Sequence, residues 1–242
     1  MPNHGLFSFA TDDELARTVA DRWLVELAAR KEKKPFCVAV SGGRIAGKFF
    51  RSVAELAGAR RVSFEPVHFF WADERCVPPT DAESNFLLAK THLLDALKIQ
   101  PHKIHRLRGE MAPKRAAAEG EAEICRIAPM NDCGQPVLDL VFLGMGEDGH
   151  VASLFPGAPD EIARAGAVYV PVVAAKPPPN RISLNYASLA AAGQVWVLVS
   201  GAGKERALQE SLSCRGATPL ARVIQSRSRT LIFSVIDADS PP

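Results

Sequence analysis

Short apolar runs alternate with amphipathic stretches along most of the chain. Phe36–Val40, Val67–Trp71 and residues 138–143, 195–200 and 230–236 are runs of strand length, rich in β-branched and aromatic side chains. Predominantly apolar runs of this kind, interrupted only singly as at His68 and Asp139, suit strands covered on both faces of a parallel sheet. Between them the period changes. Thr11-Asp12-Asp13-Glu14 has the form of a capping box opening a helix to about residue 30, with Leu15, Val19, Trp23 and Leu27 at helical spacing. A second helix carries Phe49, Phe50, Val53 and Leu56. Ser84 is placed to cap a third over 86–97, and two more are expected over Pro113–Ile127 and 204–212. Shorter strands are expected at 104–107, Tyr169–Val173 and 181–184. The alternation predicts α/β architecture: one domain spanning 1–242, with a mostly parallel, doubly wound (Rossmann-like) sheet and helices on both faces.

Polar residues cluster where the apolar runs end. Gly42-Gly43, Asp73-Glu74-Arg75, residues 144–150 and residues 201–204 each follow a predicted strand, Asp73-Glu74-Arg75 as part of a loop. Ligands of open α/β sheets bind beyond the carboxyl ends of the strands, so these four segments are expected to converge on one crevice. The densest is 144–150, with three glycines, two carboxylates and a histidine in seven residues. Glycines there let the backbone turn sharply and come close to a ligand. Asp148 and His150 add an acceptor and a group that titrates near neutral pH. Gly144, Gly146 and Gly149 also spell GxGxxG, but the carboxylate a dinucleotide ribose needs about 20 residues on is missing, because 167–171 reads AVYVP.

Composition narrows the class. Hydrophobic residues make up 47% and charged residues 23% of 242, with a net charge of +2, which suits a soluble globular protein without a nucleic-acid surface. The densest basic run, 30–34, falls where a solvated helix end is expected. Cys37, Cys76, Cys125, Cys133 and Cys214 contain no CxxC, so neither a disulfide framework nor a metal site follows, and no cofactor is expected. No apolar run reaches 18 residues and the start has no signal pattern, so the expected setting is the cytoplasm, with no membrane partner and no obligate protein partner evident.

Six blocks carry a family resemblance: SGG at 41–43, WADER at 71–75, SN at Ser84-Asn85, GMGEDGHVASLFPG at 144–157, PPNRISL at 178–184 and SGAGK at 200–204. In order, and over nearly the whole chain, they resemble the 6-phosphogluconolactonases, of the family shared with glucosamine-6-phosphate isomerase/deaminase. The resemblance implies a Rossmann-like α/β fold and hydrolysis of 6-phospho-D-glucono-1,5-lactone, a phosphorylated sugar lactone, to 6-phospho-D-gluconate. Deaminases carry a carboxylate five residues beyond the histidine; here that position is Phe155. The alternatives are deamination of glucosamine-6-phosphate and non-catalytic sensing of a sugar phosphate.

Lactone hydrolysis needs a base for water, stabilisation at the carbonyl oxygen and a proton for the departing ring oxygen. His150 is the candidate base, with Asp148 or Asp73 orienting its ring. Arg75 is placed to stabilise negative charge or hold substrate oxygens, or else to pair with Glu74 or Asp148. Ser41, Gly42, Gly43, Gly146, Arg181 and Lys204 are the candidate substrate and phosphate contacts. After SGG the family continues Ser-Thr-Pro. Here Arg44-Ile45-Ala46 follows, and Arg44 joins the candidates as a replacement cation.

Overall fold

Parallel pairing turns the apolar runs into one sheet. The computed structural model describes residues 3–32, 34–159, 162 and 166–236. Strands β1 (His4–Ser8), β2 (Phe36–Val40), β3 (Val67–Trp71), β5 (Leu140–Gly144), β8 (Gln194–Val199) and β9 (Thr230–Ser234) form six parallel strands in the order β1-β9-β8-β5-β2-β3. Every residue of β2 and β9 is buried, which explains the uninterrupted hydrophobicity of β2 and of the centre of β9. From β2 the chain moves outward to β3, then returns to the other side of β2 with β5. The loops after β2 and β5 therefore leave the sheet at a topological switch point.

Helices α1 (Asp12–Ala28) and α2 (Arg44–Arg60) pack on each other and on the sheet. Thr11 Oγ1 accepts from Glu14 N at 3.1 Å, as the capping box predicts. Trp23 from α1 meets Phe142 of β5 edge-on at 5.1 Å, and Phe49 of α2 lies 4.6 Å from the same ring. Truncating such a core aromatic costs about 3–5 kcal/mol. Ala- and Glu-rich α4 begins with Pro113 and runs to Ile127 as expected.

Several elements differ from the sequence-based expectation. Asp73-Glu74-Arg75 is a short strand, β4 (Asp73–Arg75), not a loop. It pairs antiparallel with β7 (Asn180–Leu184), which pairs antiparallel with β6 (Tyr169–Val173). These three strands form a second sheet, tied to the first where Tyr169 Oη donates to Trp71 O at 2.7 Å. Residues 104–107 make a single bridge, Ile104 to Phe69, in place of a strand. The helix after Ser84 is α-helical over α3 (Asn85–Ala89) and continues as a π turn over Lys90–Leu94. Among the described residues, β1, α5 (Tyr186–Ala191), α7 (Pro219–Gln225) and a single 3₁₀ turn at Pro101–Lys103 escaped the pattern. Helix α6 (Glu205–Leu212) lies before α7. In the basic run, Arg30 stacks over Phe36 at 5.0 Å, while Lys33 lies outside the described residues. No helix among the described residues is long and apolar enough to cross a membrane.

Candidate active site

A cavity of about 450 Å³ opens at the carboxyl ends of β2, β5 and β8, with residues of β4 and β7 on its wall. It brings together Ser41, Gly42, Gly43, Arg44, Asp73, Arg75, Gly146, His150, Arg181 and Lys204. Asp148 sits just behind, joined to the cavity through His150.

The loop after β5 builds the titrating end. Gly149 has φ +77, and a Cβ on Gly146 would fall 2.1 Å from the His150 ring, so glycine at 146 lets that ring lie against the backbone. Asp148 Oδ1 accepts from His150 Nδ1 at 2.5 Å and from the His150 main-chain N–H at 3.1 Å. That pairing assigns the proton to Nδ1 and leaves Nε2 as the basic nitrogen. Burial works to raise the Asp148 carboxyl, but the hydrogen bond and charge of His150 outweigh it and hold the group below the ordinary aspartate value. Phe155 lies 4.6 Å from the imidazole, and the Arg181 guanidinium stands 5.6 Å over the same phenyl ring.

Asp73 is differently engaged. It is 4% exposed; Oδ2 accepts from Ser153 Oγ at 2.7 Å and Oδ1 from Asn85 Nδ2 at 3.3 Å. Asn85 Nδ2 also donates to Asp73 O at 2.9 Å. Of the two carboxylates considered from sequence, Asp148 is the one bonded to the imidazole. Glu74, the next residue along β4, accepts from the N–H groups of Arg75, Asn85 and Phe86 at 2.7–2.8 Å and from Ser84 Oγ at 3.1 Å. It thereby seats the start of α3 and places Asn85. Burial pushes the Glu74 carboxyl up to about 7, against the pull of those N–H groups. Gly42 completes the seat, since a Cβ there would lie 1.8 Å from Asn85 Oδ1.

Two pairs of cations face the cavity. Arg75 and Arg181 are direct cross-strand neighbours on β4 and β7, an arrangement that is unfavourable for like charges unless an anion joins them. Arg75 Nη1 bonds to Glu83 O at 2.7 Å and Glu83 Oε2 at 3.3 Å, so neither Glu74 nor Asp148 is its ion-pair partner. Its Nε is buried without a partner. Arg181 donates from Nε to Pro178 O at 3.1 Å; burial and the charge of Arg75 lower its pKa. The second pair is Arg44, at the start of α2, and Lys204, just before α6. Burial and then the Arg44 charge lower the Lys204 pKa, and Lys204 Nζ donates to Met145 O at 2.6 Å. The α2 N-cap, Gly43, supplies no side-chain bond, and Ser41 Oγ is buried without a partner beside it. Free N–H groups at a helix start, an unpartnered hydroxyl and two cations are the components that suit an anion.

Asn85, Ser153 and Glu74 were not singled out from sequence. For Asn85 a signal existed, because it follows the Ser84 cap within a quoted block; the Ser153 contact spans 80 residues and has no local signature. His68 Nδ1 lies 2.9 Å from His105 Nε2, and His105 Nδ1 lies 2.8 Å from Glu123, in a chain apart from the cavity. No group of three or more His, Cys, Asp or Glu side chains among the described residues is placed to hold a metal ion.

Comparison with known proteins places this geometry in context. A family model described as glucosamine-6-phosphate isomerases/6-phosphogluconolactonase matches residues 10–233. The chain is 37% identical to the 6-phosphogluconolactonase of Treponema pallidum (strain Nichols), over 80% of this chain and 77% of that protein. It is 34% identical to the probable chloroplastic 6-phosphogluconolactonase 3 of Oryza sativa subsp. indica, over 86% of this chain and 65% of the rice protein. The solved 6-phosphogluconolactonase of Trypanosoma brucei superposes with a TM-score of 0.83 at 25% identity, covering 97% of both chains.

Proposed function

The chain belongs to the glucosamine-6-phosphate isomerase/6-phosphogluconolactonase family, and from that premise we propose that it is an enzyme hydrolysing 6-phospho-D-glucono-1,5-lactone to 6-phospho-D-gluconate in the cytoplasm. One observation carries the reading: a histidine bonded to Asp148 through Nδ1 faces a cavity that four cations, Arg44, Arg75, Arg181 and Lys204, also line. Nε2 of His150 takes a proton from water as the oxygen attacks the lactone carbonyl. Asp148 fixes the tautomer and supports the imidazolium that forms. Arg75 stabilises the negative charge developing on the carbonyl oxygen. Collapse of the adduct breaks the bond to the ring oxygen, and His150 returns the proton to it. Ser41, Gly42, Gly43, Arg44, Gly146, Arg181 and Lys204 bind the sugar and its phosphate. Asp73 acts through position, holding Ser153 and Asn85.

Phe155 favours lactone hydrolysis over deamination. A phenyl ring stands against His150 where the deamination branch of the family supplies a carboxylate, and ring opening with proton shifts needs more than one positioned acid/base group. A sensor would have no use for the His150–Asp148 pair. The decisive experiment follows proton release from freshly prepared 6-phosphogluconolactone, with the spontaneous rate subtracted. Catalysed turnover is expected, falling by roughly 10²- to 10⁴-fold in His150→Asn. A folded His150→Asn protein with unchanged kcat removes His150 from the chemistry, and absence of turnover by the unaltered protein overturns the reading.

A further inference from the structure

The segment from Lys204 to Leu220 grips the His150 loop at both of its ends. At the first end, Lys204 Nζ donates to Met145 O at 2.6 Å. At the second, the Leu220 N–H donates to Gly149 O at 3.1 Å, one residue before His150. Thr218 builds the second grip. Its Oγ1 caps α7 by accepting from Ala221 N at 3.1 Å and shares a hydrogen bond with Ser211 Oγ at 2.6 Å. It also packs so closely that a Cβ on Gly149 would fall 2.7 Å from Thr218 Cβ. Ser211 in turn donates to Ala207 O within α6, whose first turn closes on Lys204 O through Leu208 N at 2.8 Å.

Lys204 thus belongs both to the anion end of the cavity and to the clamp on the loop. An ammonium has three donors; Met145 O engages one and two remain for phosphate oxygens. Without an anion, this ammonium is half-buried near the Arg44 cation, and both features disfavour its charge. Resting on the lactonase reading above, we propose that the substrate's phosphate activates the His150 loop as well as holding the sugar: it fixes the Lys204 ammonium between itself and Met145 O and so sets the loop in its working geometry. The required difference in affinity is built in, because a phosphate gains most from the state in which the Lys204 ammonium is already ordered against Met145 O. Arg44 lies over Gly201, where a Cβ would come 2.7 Å from its Nη2; it acts on the Lys204 ammonium through charge alone, which a bound anion offsets, and so adds attraction for the anion without being a link in the clamp.

The test separates the phosphate from the sugar. Hydrolysis of unphosphorylated glucono-δ-lactone is measured against increasing inorganic phosphite, with enzyme-free blanks at each concentration and the phosphorylated lactone as a parallel substrate. A saturable rise in kcat/KM of about fivefold or more is expected, the lower end of ordinary coupling between two sites. Lys204→Met, which keeps the apolar stem, should lose the rise. Arg44→Ala should need more phosphite but reach the same plateau. Thr218→Val should lower kcat on both lactones with KM unchanged, because it loosens the loop without touching the anion site. Phosphite that only inhibits, or stimulation that survives Lys204→Met, overturns the proposal. Should Lys204→Met fail to fold, the wild-type response and the Arg44→Ala plateau decide, and a plateau that falls with Arg44→Ala counts against a clamp through Lys204. A protein inert on the phosphorylated lactone fails the lactonase reading itself; one active on it but indifferent to phosphite fails only this inference.

Discussion

Replacing Asp148 by asparagine isolates what its charge contributes. Two donors converge on one carboxylate oxygen, His150 Nδ1 at 2.5 Å and the His150 main-chain N–H at 3.1 Å. An asparagine amide turned the wrong way would set its NH₂ against both, so the amide oxygen stays inward and the imidazole keeps its proton on Nδ1. What is lost is the anion. A hydrogen bond to a charged group contributes about 1.5–3 kcal/mol against about 0.5–1.5 for a neutral one. The difference, roughly 1–1.5 kcal/mol, falls on the imidazolium formed in the transition state and corresponds to about a 5- to 15-fold loss of kcat. The Asp148 side chain is 51% exposed, so water screens the pair and the lower part of that range is expected. Initial rates of proton release from 6-phosphogluconolactone, with thermal unfolding as a check on the fold, measure it. An unchanged kcat would show that Asp148 does not support the reacting ring. A loss beyond roughly 10³-fold would show that the imidazole had adopted the other tautomer, contradicting the two-donor geometry.

Gly42→Ala sets a Cβ 1.8 Å from Asn85 Oδ1, and Asn85 is buried and bonded to Asp73, so the wall of the site must shift. kcat/KM should fall by about 10- to 100-fold in steady-state assays, the cost of a displacement near 1 Å, and normal kinetics would show that Asn85 has room to move. Glu74, pushed up to about 7 by burial, holds a proton in the folded state over a range where the unfolded chain has released it. The contribution of this group to stability is therefore greatest below the ordinary glutamate value and declines as pH rises to about 7, by on the order of 3 kcal/mol; over that range urea midpoints of Glu74→Gln should fall less with rising pH than those of the unaltered protein. With Phe155 against His150, glucosamine-6-phosphate should release no ammonia above an enzyme-free control, and Phe155→Glu should slow lactone hydrolysis without creating that activity. Ammonia from the unaltered protein would reverse the choice of reaction.

The parallel sheet was legible because its inner strands are covered on both faces. β2, β5 and β8 show their burial as apolar runs of four or more residues, and α1 and α4 announce their starts with a capping box and an initial proline. β1 was not legible, because an edge strand with half-exposed residues alternates weakly and draws its structure from pairing with β9. Helices α5 and α7 are too short, at six and seven residues, for a helical period to register, although Thr218 before Pro219 is the sequence form of a helix start. Within the site, the 144–150 loop stood out through its own composition. The seat made by Glu74, Asn85 and Gly42 did not, because no local pattern reports that α3 starts against the turn after β2.

The segment Asp73-Glu74-Arg75 shows how one wrong element assignment misplaces chemistry. Read as a loop, it puts a glutamate and an arginine side by side, and their pairing is a natural expectation. A strand alternates its side chains between faces. On β4, Asp73 and Arg75 both reach the cavity, while Glu74 turns away and accepts the N–H groups at the start of α3. The same pleat on β7 sets Arg181 opposite Arg75 and Ser183 opposite Asp73. Arg75 must then find its carboxylate beyond the strand, at Glu83. One face of a three-residue strand thus supplies two groups on the cavity wall, and its middle residue anchors the helix that braces one of them. That division of labour follows from the period of two alone, and it becomes visible only once the pairing partner, about a hundred residues away, is known.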